Sequence, residues 1–384
     1  MKVLFVINNM CIGGTRSSLL NFITYLSKTH KELEVNLFLL SKTGEYLPRI
    51  PDNIKVISGD SWTDCSFKSN DKLTATEKIK RGIICVAKRI FGEKKVLNRM
   101  FDICIQKTIK DRYDVVVGFQ EGLCGDFAVK IPTSKCVLWV HNNYENLDPL
   151  SRGFYESYEK AKAIVFVAEA SKKSFENRFP EFKGKMHLIR NIVLQEDVIK
   201  RSMSQISDGF NNVGNKTIKI VSVGRIAPQK AFDRVINAAL KLRHLNFDFE
   251  WIIIGDGPDY KRLKEKTTEE QISDKLRFIG GKSNPYPYMK QADFLALSSI
   301  YEAQPMVIIE ALTIGIPVLS TKFDSVNELL GNKKYGMVVE NSTDGFIQGV
   351  CNLCENPDKI QQMKKETQNF VYDNEKIVQD FLKL

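Results

Sequence analysis

Two glutamates, Glu302 and Glu310, stand with seven residues between them in the stretch Ser298-Ser299-Ile300-Tyr301-Glu302-Ala303-Gln304-Pro305-Met306-Val307-Ile308-Ile309-Glu310-Ala311-Leu312. An apolar run that reads as a strand precedes it. The stretch itself opens a segment that reads as a helix, with Pro305 suited to the first helical turn and Gly315 suited to stop it. Such a junction puts Glu302 at the carboxyl end of a sheet, where α/β folds bind ligands. Glu310, about a turn and a half into the helix, reaches back toward the same place. Unused backbone N–H groups around Met306 and Val307, helped by the helix dipole, favour an anion. Carboxylates accept hydrogen bonds from sugar or ribose hydroxyls, so the set suits a nucleotide sugar. A solvated pair of glutamates beside an apolar helix would show the same spacing, and the pattern alone leaves both readings open.

Cations supply the complementary chemistry. Arg225 and Lys230 share the loop 224–230 after another apolar run. Two positive charges on one loop can neutralise a leaving diphosphate without a metal, each charge-assisted contact contributing roughly 1.5–3 kcal/mol. Two surface cations are the plainer alternative. The sequence contains no Asp-x-Asp, so a metal-bridging carboxylate pair is not expected. His141 closes the apolar run 137–141 and is expected to point into a ligand cleft, although a lone histidine is often purely structural. Gly13-Gly14-Thr15-Arg16 forms a glycine loop after the first strand, with Arg16 a further phosphate or acceptor contact. Gly255-Asp256-Gly257-Pro258 lacks a third glycine and a suitably placed acidic residue, so it reads as a tight turn rather than a dinucleotide site.

The elements that must position these residues alternate. Strands are expected at 3–8, 35–40, 54–57, 115–119, 136–140, 164–167 and 186–190, and again at 218–223, 251–254, 276–279, 294–297 and 317–320, with helical patterns between several of them. Alternation of this kind predicts parallel sheets covered on both faces. With 384 residues, two domains are expected. The polar, turn-rich stretch 202–217 reads as a linker between an N-terminal domain at 1–201 and a C-terminal domain at 218–365, with 366–384 as a terminal helix packing back on the N-terminal domain.

Composition narrows the classes. The chain is 43% hydrophobic and 27% charged, as a folded protein is, and no apolar stretch approaches the roughly 18 residues that span a bilayer. The eight cysteines are irregularly spaced, so free thiols and a cytoplasmic location are expected; Cys351 and Cys354 lack a second pair for a zinc site. Of the net charge of +10, eight units fall between Lys72 and Lys110, where eleven Lys/Arg face three Asp/Glu. Ile79, Ile83, Ile90, Val96, Leu97 and Met100 are mixed in with them. This segment reads either as amphipathic helices packed on the domain or as a surface for an anionic membrane or a diphosphate-lipid. No nucleic-acid-binding module accompanies the charge.

The Glu302–Glu310 stretch resembles the E-x7-E signature of the retaining GT-B glycosyltransferase family 4, the glycosyl transferases group 1. Asn284-Pro285-Tyr286-Pro287-Tyr288-Met289-Lys290-Gln291-Ala292-Asp293 resembles the segment that precedes it, and Gly224-Arg225 with Lys230 and Ile254-Gly255-Asp256-Gly257-Pro258 match in kind and order. The resemblance is strong over 218–340 and weaker in the first half; Ala303 departs from the glycine of many members. It implies two Rossmann-like domains facing a central cleft. Arg225 and Lys230 would hold the donor diphosphate and Glu310 the ribose, while Glu302 and His141 would stand at the transferred sugar. Ile279, Pro305, Met306, Val307 and Gly14 would complete the donor site, and Gly13, Thr15 and Arg16 the acceptor or phosphate loop.

The expected activity is therefore that of a retaining, metal-independent glycosyltransferase without a cofactor. It would move a hexose or N-acetylhexosamine from a UDP-sugar to a lipid-linked oligosaccharide or another surface-polysaccharide precursor. The alternatives are a non-catalytic partner subunit of another transferase, and a sugar-nucleotide epimerase or phosphorylase on a related fold.

Overall fold

The computed structural model describes residues 1–211, 217–331 and 334–384, which form two compact units. The first comprises Met1–Ile192 with Asn374–Leu384, the second Val193–Asp373.

The first unit holds seven parallel strands, β1 (Lys2–Ile7), β2 (Glu34–Leu39), β3 (Lys55–Ser58), β4 (Tyr113–Gly118), β5 (Thr133–Val140), β6 (Ala163–Phe166) and β7 (Met186–Leu188). Their order across the sheet is β3-β2-β1-β4-β5-β6-β7. Residues 3–7 of β1 are buried on both faces, and such strands read as unbroken apolar runs rather than alternating ones. The chain-terminal helix Asn374–Leu382 belongs to this unit. Its Phe381 ring lies 5.3 Å from Phe22, 6.1 Å from Phe5 and 6.0 Å from Trp139.

The second unit holds six parallel strands, β8 (Ile218–Val223), β9 (Phe249–Ile254), β10 (Leu276–Phe278), β11 (Phe294–Leu297), β12 (Val318–Thr321) and β13 (Gly336–Val339), in the order β10-β9-β8-β11-β12-β13. In each sheet the order reverses beside the first strand, between β1 and β4 and between β8 and β11. At such a switch point the loops leaving the strands' carboxyl ends part to opposite faces and leave room for a ligand.

Three expectations need correction. The unit boundary falls at Ile192/Val193 rather than within 202–217. Residues 212–216 of the expected linker lie outside the described residues, but Asp208 and Asn211 are pinned to the second unit. Asp208 accepts from Tyr288 and pairs with Lys282 at 2.6 Å, and Asn211 donates its backbone N–H to Glu250 at 2.9 Å. Polar composition marks irregular backbone here, not independence, because ion pairs tie it down. The terminal segment 366–384 is not one helix: Pro357–Thr367 ends before Asn374–Leu382 begins. Strand β13 adds to the expected set, being only four residues long and opening on a glycine. A Cβ at Gly336 would lie 2.1 Å from the Val318 carbonyl oxygen, so the pairing with β12 requires glycine there.

Candidate functional site

At the β8/β11 switch point two loops are laced together by backbone. Ile300 donates its N–H to the Gln229 carbonyl at 2.8 Å, the Gln229 amide donates to the Tyr301 carbonyl at 2.8 Å, and Ser298 Oγ donates to the Lys230 carbonyl at 2.7 Å. This lacing brings Lys230 Nζ into direct contact with Glu302 Oε1, which also accepts from Ser299 Oγ at 2.8 Å. Arg225 is exposed on the same loop and, among the described residues, has no hydrogen-bond or ion-pair partner. The loop is backed by the turn after β9. A Cβ at Gly255 would sit 1.8 Å from the Gly224 carbonyl oxygen and one at Gly257 2.3 Å from that of Ile226, so these glycines serve close packing. Ala231, directly after Lys230, is held at φ 49°, ψ 47°, a left-handed conformation costly for a residue with a Cβ.

Glu310 is buried in the helix Met306–Ile314 and accepts from the Tyr286 hydroxyl at 3.0 Å. The Tyr286 ring in turn carries the Arg201 guanidinium at 4.9 Å. The two glutamates thus have different partners, a cation with a serine for Glu302 and a phenol for Glu310. Pro305 is the N-cap of this helix, one residue earlier than its expected place in the first turn, and Gly315 ends it at φ 86°. The N–H groups of Met306 and Val307 are the unused donors of a helix start. Ile279, Met306 and Val307 are half-buried on one apolar cluster that includes Leu297 and Ile308.

Sequence reasoning missed the brace behind this site. Arg234 donates to the Ser298 carbonyl at 3.1 Å and to Asn341 Oδ1 at 2.7 Å, while the Asn341 amide donates to the Ile300 carbonyl at 2.6 Å and the Lys322 carbonyl at 2.9 Å. Burial lowers the Arg234 pKa from its usual value. Nothing in the residue pattern separates Arg234 from the solvated cations of an amphipathic helix.

The first unit's switch point is built differently. Glu121, in the loop after β4, is buried and accepts the His141 backbone N–H at 2.9 Å and the Asn142 side-chain amide. Burial pushes its carboxyl up. His141 follows β5, and its Nε2 lies 3.0 Å from the Phe119 carbonyl oxygen. A carbonyl only accepts, so Nε2 carries the proton and Nδ1 is left as an acceptor. Burial, with the Arg16 guanidinium adding to it, lowers the imidazole pKa to about 3, leaving a neutral ring. Arg16 lies in the first turn of the helix Gly14–Thr29, where the dipole disfavours a cation, and its buried Nε has no hydrogen-bond partner among the described residues. Gly13 is extended rather than left-handed, with a Cβ there 3.8 Å from the Arg16 side chain, and a Cβ on Gly14 would meet nothing within 4 Å, so open space lies beside Gly14, before Thr15, at that helix start. Glu121 was findable: a carboxylate directly after a buried strand at the switch point is what the placement rule selects.

Cys351 and Cys354 are both buried on the helix Thr343–Glu355, and burial pushes the Cys354 thiol up to about 12. All eight cysteines are free. Among the described residues no cluster of three His, Cys, Asp or Glu is placed to hold a metal, and no helix is long and apolar enough to cross a membrane.

Comparison with known proteins bears on this geometry. Residues 205–370 match the family model of the glycosyl transferases group 1. An uncharacterized glycosyltransferase of Methanocaldococcus jannaschii is 24% identical over 49% of this chain, which spans about half, 48%, of that relative's length. The N-acetylgalactosamine-N,N'-diacetylbacillosaminyl-diphospho-undecaprenol 4-alpha-N-acetylgalactosaminyltransferase of Campylobacter jejuni is 27% identical over 65% of this chain and 67% of its own. The structure of HepE from Anabaena, in complex with UDP and glucose, superposes over 100% of this chain and 98% of that one, with a TM-score of 0.66 at 15% identity. Residues 205–370 are thus similar to the glycosyl transferases group 1, and the chain as a whole has the GT-B fold of glycosyltransferases such as HepE.

Proposed function

We propose that the protein is a glycosyltransferase that binds a nucleotide-diphospho-sugar on the second unit and a lipid-linked or polysaccharide-precursor acceptor on the first. The observation that carries this reading is the Lys230–Glu302 contact at the β8/β11 switch point, beside the exposed Arg225. Without ligand each charge answers the other. A diphosphate would draw Lys230 toward itself, joined by Arg225 and the helix start at Met306, and release the Glu302 carboxylate for a sugar hydroxyl. Glu310, already an acceptor for the Tyr286 hydroxyl, would take ribose hydroxyls.

Catalysis would then be positioning plus stabilisation of the departing diphosphate. We favour retention, with the leaving phosphate taking the acceptor proton on the face it leaves. His141 is neutral and so serves as a hydrogen-bond acceptor through Nδ1 rather than as an acid. The cations make a metal unnecessary for charge neutralisation, and UDP is the favoured nucleotide. Support for the donor comes from HepE, which holds UDP and glucose, and support for a lipid-diphosphate acceptor from the name of the Campylobacter relative.

The test is a donor screen with UDP-, GDP-, ADP- and CDP-sugars in EDTA, following nucleotide release by the wild type and by Glu302→Gln. Release from one UDP-sugar, abolished in the variant, is the expected result. Equal release by both proteins would remove Glu302 from the chemistry.

A further inference from the structure

The helix Ala75–Phe91 is packed inside out. A capping box sets its start, with the Thr74 side chain accepting from the Glu77 N–H and Glu77 accepting from the Thr74 N–H. Its inner face is polar: Arg81 Nε donates to the Cys65 carbonyl at 2.9 Å, and the two Nη groups reach Asn70 Oδ1 and the carbonyls of Cys65 and Lys68. Glu77 pairs with Lys68 at 2.8 Å, and Ile84 is the residue this helix buries. These bonds fix the rotation of the helix, and that rotation turns Ile79, Ile83, Val86, Ile90 and Phe91 outward, each between 53% and 66% exposed. The first four recur at spacings of four, three and four, which is one stripe along a helix about 25 Å long.

Charge surrounds the stripe. Lys78, Lys80 and Arg89 flank it, while Arg81 is turned inward and Lys88 pairs with Glu93 at 2.8 Å; Glu77 is the helix's single acidic residue. The next helix, Glu93–Thr108, does the opposite with its apolar residues, burying Leu97, Met100, Phe101 and Cys104 in the core while Lys95, Arg99 and Lys107 stay exposed. The six apolar residues that the sequence mixes with the cations therefore divide: Leu97 and Met100 are core, Val96 packs against it, and Ile79, Ile83 and Ile90 face solvent.

We propose that this face seats the protein on an anionic lipid surface. The helix lies flat, with its aliphatic stripe at the acyl boundary and its cations among the headgroup phosphates. An apolar stripe with a cationic border, on a helix whose other face is locked by its own hydrogen bonds, matches an interface that is apolar in depth and anionic at its rim. Donor chemistry plays no part in this seating, so a failure here would leave the reading of the second unit untouched.

The experiment is flotation of the full chain with phosphatidylcholine vesicles, with and without phosphatidylglycerol, at low and high salt. Binding only to the anionic vesicles, weakened by salt, is expected. The triple variant Ile79→Ser, Ile83→Ser, Ile90→Ser should lose about tenfold or more in partitioning while keeping its Tm, since these side chains are mostly exposed. In Val86→Trp the indole emission should shift to the blue when anionic vesicles are added. Absence of wild-type binding, or undiminished binding by the triple variant, overturns the proposal. A dimer that the triple variant converts to monomer, with no vesicle binding by either protein, overturns it in favour of a second copy of this chain.

Discussion

The two switch points occupy the same place in two sheets of the same strand order, yet they handle charge in opposite ways. In the second unit Lys230 and Glu302 neutralise each other in a partly open loop, with Arg225 in reserve. In the first, a carboxyl and an imidazole are buried, the ring is neutral, and the nearby Arg16 has a buried Nε with no hydrogen-bond partner among the described residues. A balanced pair can be exchanged against an incoming charge at little cost, because each partner only trades one contact for another. An uncompensated buried donor is stabilised by whatever anion or acceptor arrives. The second unit's site is thus built to exchange contacts with an incoming anion, the first unit's to hold a fixed hydrogen-bonding frame beside Arg16.

Removing the exchangeable pair should have the largest effect. Lys230→Ala is expected to cut turnover by about a hundredfold or more, the order found when one stabilising donor at a developing charge is lost. Melting should move little, since Lys230 is partly exposed. Turnover and Tm measured side by side check this, and comparable losses in both would show a merely structural pair.

The neutral state of His141 comes next. Its folded pKa, about 3, lies below the usual 6.5. Between those values the unfolded chain takes up a proton that the folded chain does not, so stability is full above pH 6.5 and is lost as pH falls toward 3. Imidazole NMR should show His141 uncharged at about pH 5, and a titration near 6.5 would contradict the buried frame.

Asp126 sharpens the contrast from the same unit. Its Oδ1 accepts from the Phe154 N–H and the Ser157 hydroxyl, while its Oδ2, Gln120 Oε1, Trp139 Nε1 and Arg152 Nε have no hydrogen-bond partner among the described residues and surround a cavity of about 10 Å³, room for roughly one water. Burial raises the carboxyl to about 6 from a usual 3.8. For an acid raised in this way the fold holds the extra proton, so its contribution is present below about pH 4 and lost as pH rises through 6. Asp126→Asn should therefore stabilise the protein by about 3 kcal/mol near pH 8 and not near pH 4. Denaturation at the two pH values measures it.

The smallest effect belongs to Ala231→Gly, which relieves the left-handed alanine beside Lys230. A gain of at most about 1 kcal/mol is expected in urea unfolding, because the freer unfolded glycine offsets part of the relief. A loss of stability would mean that the Ala231 side chain is needed where it stands.

Much of this is legible in the sequence. The strands are visible because both faces of a parallel sheet are covered, leaving unbroken runs such as 3–7 and 251–254. Lys230, Glu302 and Glu310 stand out through their resemblance to the glycosyltransferase signature, since their spacing alone leaves a solvated pair and surface cations open. What stays hidden depends on burial rather than pattern. Arg234 looks like any cation on a helix until its partners are seen to be two loops, and the pinned residues around Asp208 look like a linker until their ion pairs are known. Ile79 and Leu97 are equally apolar in sequence; the hydrogen bonds of Arg81 turn Ile79 outward on one helix, while Leu97 is core on the next.

Central to the proposed activity is a nucleotide diphosphate gripped by the second unit through Lys230, with no metal between them. Calorimetric titration of UDP and UDP-sugars into the protein in EDTA, repeated with Lys230→Ala, tests it most directly. Saturable binding by the wild type, weakened at least about tenfold in the variant, is the expected result. Binding that appears only when a divalent cation is restored, or that is equal in both proteins, would contradict it.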